Sequence, residues 1–229
     1  FFGLHGGVMH NDRHCFVYRS RADGGVLALC RDDWRIDGGG FRVEEGGERT
    51  FLEWDGSMLT GTPIDPASGR ALPGVRRTID LEVYEPVLTP HEWVPSVHIP
   101  GGGGMTAELA GASLREAAAF FRKYFKKEIR AFVCDSWILN PAWMELLPES
   151  NLAAFMRELY LFPRTPYPQA GLFFVFGRSD GDFASYPADT SLRRAFHRLY
   201  NAGEPFRTGG MFVLTADLDR WGGGLYRSR

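Results

Sequence analysis

Cysteine is scarce: only Cys15, Cys30 and Cys134 occur among 229 residues. So small and odd a set excludes a disulfide framework and makes a reducing cytoplasm the expected location. Long apolar runs are missing too. No stretch of about 18 such residues exists, so a transmembrane helix and a membrane partner are not expected. Charge of neither sign is in excess, with 26 Lys and Arg against 28 Asp and Glu and a net charge of −2. Nucleic-acid binders depend on Lys and Arg meeting phosphates, so a nucleic-acid partner is not expected, and the short basic end Arg227-Ser228-Arg229 does not alter that. No basic-then-apolar leader is seen at the start, and the chain opens on Phe1 without a methionine, which reads as a trimmed or fragmentary beginning. What is present is ordinary globular usage, 44% hydrophobic and 24% charged, enough to bury a core without metal or disulfide staples.

Two textures divide the chain. Residues 1–100 are rich in Gly, Thr, Val and aromatics, with turns at short intervals. His14–Arg19 and Val26–Cys30 read as strands across Ala22-Asp23-Gly24-Gly25, and Asp55-Gly56 turns a hairpin between Phe51–Trp54 and Ser57–Thr60. Arg76–Tyr84 alternates as one half-buried strand, with Asp80 and Glu82 on its solvated face together with nearby Glu85, while Pro63–Pro73 reads as a loop. Trp93–Ile99 is a shorter strand, with Pro95 marking an edge or bulge.

Beyond Gly101-Gly102-Gly103-Gly104, helices dominate. Ser113 and Glu116 form a capping box, and Leu114, Ala117, Ala118, Phe121 and Phe125 make one apolar stripe. Arg130–Leu139 reads as a central strand, Pro148 to about Leu161 as a helix, Leu172–Phe176 as a strand, Asp189 or Thr190 to Asn201 as a helix, and Met211–Leu214 as a last strand. The expected fold is α+β (mixed α/β), a largely antiparallel central sheet flanked by helices. The texture change suggests a β-rich segment over 1–50, the remnant of a preceding domain, and the main domain over 51–229.

The glycine run carries the first chemical signal. A strand, then glycines, then a helix start places bare backbone N–H groups at a positive helix end, a site suited to phosphate. The same run also reads as a flexible surface loop, and both readings stand. It is not a P-loop, since no Gly-Lys-Ser/Thr follows, and the third glycine of the dinucleotide fingerprint is absent. His98, at the end of the preceding strand, reads either as a base for an acceptor or as a shaper of the loop. Cys134 reads as a small buried hydrophobe rather than a nucleophile. His10, Asp12 and His14 read as solvated loop residues, not a zinc site, and no metal is expected. Trp34, Trp54, Trp93 and Tyr84 read as sheet core in preference to a sugar platform.

His98-Ile-Pro-Gly101-Gly-Gly103 resembles the Gln/Arg-x-x-Gly-x-Gly/Ala signature of the GNAT acyltransferase superfamily, with His replacing Gln/Arg. In that family the signature lies between the fourth strand and third helix, and its amides hold the coenzyme A pyrophosphate. Asn151-x-x-Ala154 resembles a further family element, although Tyr160 follows the Asn by nine residues where members often have seven. A narrower resemblance covers roughly 55–215. It rests on His98-Ile-Pro-Gly-Gly, Ala112-Ser113-Leu114, Phe120-Phe121, Cys134-Asp-Ser136-Trp137-Ile-Leu139, Leu146-Leu147-Pro148-Glu-Ser150-Asn151 and Thr190-Ser191-Leu192. These motifs are similar to the GNAT-like C-terminal domain of a bacterial acyltransferase family, whose members pair it with a smaller N-terminal domain.

The resemblance implies acyl-CoA as co-substrate, held by Gly101, Gly102, Gly103, Gly104 and Asn151. The acyl group would pass by direct attack to a small-molecule amine or hydroxyl acceptor, with His98, Ser136 and Tyr160 as the candidate catalytic groups. A non-catalytic ligand-binding or interaction domain on the same fold is the alternative, and a thiol hydrolase using Cys134 a third.

Overall fold

The structure is a computed structural model that describes residues 2–3, 15–89, 92–99 and 105–227. Its centre is a five-stranded sheet in the order Phe2–Gly3, Ser96–Val97, Ala131–Ser136, Arg207–Leu214, Tyr160–Pro166. Every pairing in it is antiparallel except the one between Ser96–Val97 and Ala131–Ser136, which run parallel. The expected mixed α+β fold, a largely antiparallel sheet flanked by helices, is therefore the observed one.

Alternation along the central strand Ala131–Ser136 separates two cores. Phe132 and Cys134 face the helices, in a cluster with Leu114, Phe121, Phe155 and Phe196. Ala131 and Val133 face the other way, in a cluster with Val17, Ala28, Ile64 and Phe212. The latter fills the space between the central sheet and a second five-stranded sheet, ordered Tyr84–Leu88, Phe16–Ser20, Val26–Leu29, Pro63–Asp65, Arg70–Ala71. Phe16–Ser20 and Val26–Leu29 thus pair with strands that follow residue 50, so the described part of 1–50 shares a sheet with the segment placed after that boundary.

Several elements differ from the sequence expectation. The long helix is Ala107–Phe120, capped by Thr106, whose hydroxyl accepts from the Leu109 N–H at 3.2 Å. The capping box at Ser113 and Glu116 therefore lies inside it. Gly111, which weakens a helix on propensity, is retained because a Cβ there would meet the Trp221 ring at 2.5 Å. From Phe121 to Phe125 the helix widens into a π turn. Leu114, Ala117, Ala118 and Phe121 are buried as the stripe requires, but the wider turn carries Phe125 out of phase, to 48% exposure.

Arg76–Tyr84 is interrupted by a turn over 81–83 and resolves into Arg77–Asp80 and Tyr84–Leu88. The segment read as a loop over Pro63–Pro73 is a hairpin, its turn closed by the Gly69 N–H donating to Asp65 O at 2.8 Å. The helix expected from Pro148 to Leu161 is shorter, Asn151–Arg157, and Leu161 belongs to the strand Tyr160–Pro166. Leu172–Phe176 is a single helical turn, not a strand. Trp34 is core, but Trp54 is 65% exposed. His10, Asp12 and His14 lie outside the described residues.

Candidate functional site

The one parallel pairing in the central sheet sets up the site. Ser96 pairs with Val133, and the Val133 N–H donates to Pro95 O at 3.1 Å. Past that point the two strands line a cavity instead of each other. Val97, His98 and Ile99 stand on one side and Cys134, Asp135 and Ser136 on the other, around a volume of about 750 Å³. On its opposite edge the central strand pairs with Arg207–Leu214, and the Thr215 N–H donates to Arg130 O at 2.9 Å. Alternation from that bond sends the N–H and C=O of Val133 and Asp135 to the cavity edge. The walls are mostly apolar and include Trp137, Phe173, Phe174 and Tyr167, with Gln169, Ser179 and Thr208 as polar points.

Local sequence explains each wall. Ser136 ends the central strand and caps the turn Trp137–Leu139, its Oγ accepting from the Ile138 N–H at 3.4 Å. That turn carries Trp137 to the cavity. Opposite, Gly171 takes φ +84, and a Cβ there would meet the Trp137 ring at 2.7 Å. Bare backbone is needed at that contact, and the helical turn Leu172–Phe176 starts from it, with Phe173 and Phe174 on its outer side at 63% and 76% exposure.

The structure brings together two of the candidate catalytic residues. His98 is exposed and lines the cavity from one strand, and Ser136 lines it from the other. Tyr160 does not join them. It is fully buried between the sheets, where its hydroxyl accepts from the Ala28 N–H at 3.1 Å and donates to Ile64 O at 2.8 Å. Burial raises its phenol far above the ordinary range. Asn151 is the exposed first residue of its short helix and is not among the cavity residues. Gly101, Gly102, Gly103 and Gly104 lie outside the described residues, between Ile99, which lines the cavity, and the Thr106 cap.

Cys134 lines the cavity but is only 5% exposed. Burial, and then the neighbouring charge of Asp135, push its thiol up to about 12. A thiol so placed stays protonated at neutral pH, the opposite of what a nucleophile needs. Sequence reasoning passed over Asp135 and Arg164, which form an ion pair at 3.1 Å with side chains 30% and 17% exposed. The available signal was a carboxylate within an otherwise apolar strand. Among the described residues no group of three or more His, Cys, Asp or Glu is placed to hold a metal ion, and no helix is long and apolar enough to cross a membrane.

Comparison with curated proteins finds no match. Among solved structures, an acyltransferase in complex with CoA and 10C-teicoplanin is similar at 21% identity and TM-score 0.48, over 75% of this chain and 52% of that one. An acyltransferase in complex with decanoyl-CoA and teicoplanin is similar at 22% identity and TM-score 0.48, over the same 75% and 52%. The chain thus spans about half the length of these structures. A family model for the GNAT-like C-terminal domain matches residues 47–212, the span that holds the central sheet from Ser96 as far as Phe212, the long helix and every described wall of the cavity. On that match, this chain belongs to the GNAT-like C-terminal domain family.

Proposed function

We propose that the chain is an acyl-CoA-dependent acyltransferase that passes the acyl group to an amine or hydroxyl acceptor by direct attack. The observation that carries this reading is the opening between Ser96–Val97 and Ala131–Ser136, a parallel pair that meets once and then lines a cavity from both sides. The pantetheine of acyl-CoA is a narrow arm that combines amide groups with apolar methylenes. The cavity suits it, with strand edges offering backbone N–H and C=O groups between apolar walls.

Each residue has a task in this reading. The amides around Gly101–Gly104 and the start of the helix capped by Thr106 take the pyrophosphate, because a helix N-terminus favours anions. The Asp135 N–H, on the cavity edge, stabilises negative charge as it develops on the thioester oxygen. His98, across the opening, accepts the proton that the acceptor sheds, and Ser136 lies within the same cavity to orient the acceptor. Cys134 contributes packing. Tyr160 couples the two sheets through its bonded hydroxyl. Asn151 is left with its place at the start of a capped helix.

Calorimetry with coenzyme A tests the reading. Wild-type protein should bind at micromolar to low millimolar ligand, with dephospho-coenzyme A nearly as tight. Gly103→Val should weaken binding at least tenfold, about 1.4 kcal/mol, because a side chain crowds the phosphate from the amides. The control is Gly38→Val, since nothing lies within 4 Å of a Cβ at Gly38. Absence of wild-type binding at millimolar coenzyme A would sink the reading and favour an interaction domain.

A further inference from the structure

We propose that Trp221 is a positioning residue for coenzyme A: it grips, from behind, the peptide unit at the start of the long helix whose N–H receives the pyrophosphate. This deepens the acyl-CoA reading and rests on it. It also brings in a part of the chain past residue 212, where the family match ends.

The contact falls on the first residue of the helix Ala107–Phe120. The ring N–H of Trp221 donates to Ala107 O at 2.6 Å. That oxygen and the Glu108 N–H belong to one planar peptide unit, so fixing the one aims the other. Helix N–H groups point toward the N-terminal end, here the end that follows the glycine run. The Leu109 N–H is already taken by the Thr106 hydroxyl, which leaves the N–H groups of Ala107 and Glu108 as donors in the first turn. The Glu108 N–H meets its own carboxylate, which is exposed and also accepts from the Thr106 hydroxyl. So loosely held a carboxylate yields to a pyrophosphate, which brings more charge to the same donor. A hydrogen bond to the carbonyl oxygen also makes the N–H of the same unit a better donor, because bonds in a chain polarise one another.

The surroundings hold the indole to this task. A Cβ at Gly111 would meet Trp221 Cδ1 at 2.5 Å and Nε1 at 2.7 Å, so any side chain there pushes the ring off Ala107. Past the tryptophan, Gly222 and Gly224 take φ +101 and +69 and donate their N–H groups to the buried Glu158 carboxylate at 3.0 and 2.9 Å. Ahead of it, Leu218 O accepts from Arg115 Nη1 at 2.9 Å, a second bond to the long helix. The buried Asp217 carboxylate is gripped by Arg19 at 2.7 Å and Arg220 at 2.6 Å. The segment is thus pinned on both sides of Trp221. Packing alone could be met by phenylalanine; the donor to Ala107 O is what the indole adds.

Calorimetry with octanoyl-CoA and with S-octanoyl-pantetheine tests this, since the second keeps the acyl arm and lacks the pyrophosphate. Trp221→Phe leaves a ring beside Gly111 and removes the donor. It should weaken octanoyl-CoA roughly fivefold, the effect of one hydrogen bond, and leave octanoyl-pantetheine within about twofold. Gly111→Ala keeps the tryptophan but displaces it, and should show the same selective loss; if that variant does not fold, Trp221→Phe decides. Glu108→Gln removes the competing charge and should tighten octanoyl-CoA alone. A general loosening of the helix would weaken both ligands in parallel. Such a parallel loss, unchanged octanoyl-CoA affinity in Trp221→Phe, or no gain in Glu108→Gln would each overturn the proposal while leaving the acyl-CoA reading standing. Failure of the wild-type protein to bind octanoyl-CoA and coenzyme A would remove both.

Discussion

Phe121 shows how one ring ties the long helix to the sheet. It is 2% exposed, meets Trp93 edge-to-face at 5.5 Å, and belongs to the cluster that includes Phe132 and Cys134. Truncating a buried phenylalanine removes its transfer energy and leaves a cavity. Phe121→Ala should therefore cost about 3–5 kcal/mol in urea unfolding. Phe125→Ala, at a half-exposed ring one turn on, should cost less than about 1.5 kcal/mol, since little apolar area returns to water. Equal losses would mean the π turn does not shift the phase as described. At this scale the sequence was informative where one residue type has one use. The stripe as far as Phe121 was legible, while His98 and Ser136 were named only through the family resemblance and are seen to line one cavity in the structure. Tyr160 was not, because spacing along a chain does not reveal which face of a strand a side chain takes or that Ile64 O would claim its hydroxyl.

Among the elements, the turn Leu172–Phe176 is the clearest departure from sequence expectation. Leu-Phe-Phe-Val-Phe has strand-forming composition and no helical period long enough to recognise. Tertiary context decides: Gly171 and Gly177 both take left-handed backbone, at φ +84 and +72, and close the segment into one turn that buries Leu172 and exposes Phe173 and Phe174. The two glycines differ in their surroundings. At Gly171 a Cβ would meet Trp137 at 2.7 Å and Phe196 at 2.9 Å, whereas nothing lies within 4 Å at Gly177. Gly177→Ala should cost about 1–2 kcal/mol from backbone alone. Gly171→Ala should add roughly 1–3 kcal/mol of overpacking and shift the tryptophan emission by displacing Trp137. Matching losses, or unchanged emission, would show that the close approach is not maintained in solution. Of the strand expected over Trp93–Ile99 only Ser96–Val97 forms, and the hairpin at Pro63–Ala71 was hidden by Pro, Asp and Gly of the kind that also marks loops.

For the whole molecule, three buried thiols couple stability to alkaline pH. Burial pushes Cys30 and Cys134 up to about 12 from an ordinary 9.0, and raises Cys15 further. The unfolded chain ionises its thiols near 9 and the folded chain cannot, so their contribution is intact below pH 9 and is lost as pH rises toward 12. Each thiol should remove ~1.4 kcal/mol per pH unit in that window. Denaturation midpoints should hold up to about pH 8.5 and fall beyond it, less steeply in Cys134→Ala once its own packing loss is subtracted. A flat profile to pH 11 would contradict the burial.

The strand order also carries a temporal meaning. Arg207–Leu214, near the C-terminal end, lies between Ala131–Ser136 and Tyr160–Pro166, which have no pairing with each other in the finished sheet. During synthesis those two strands emerge first, Ala131–Ser136 with only its short parallel pairing to Ser96–Val97 and Tyr160–Pro166 with no neighbour in the central sheet among the described residues. Only when the last strand leaves the ribosome can it slide between them, bring Gly210 under Arg164 and align the carboxylate of Asp135. Assembly is thus a late, long-range event. A nascent chain halted before residue 207 would hold every described wall of the cavity but Thr208 and still have no site.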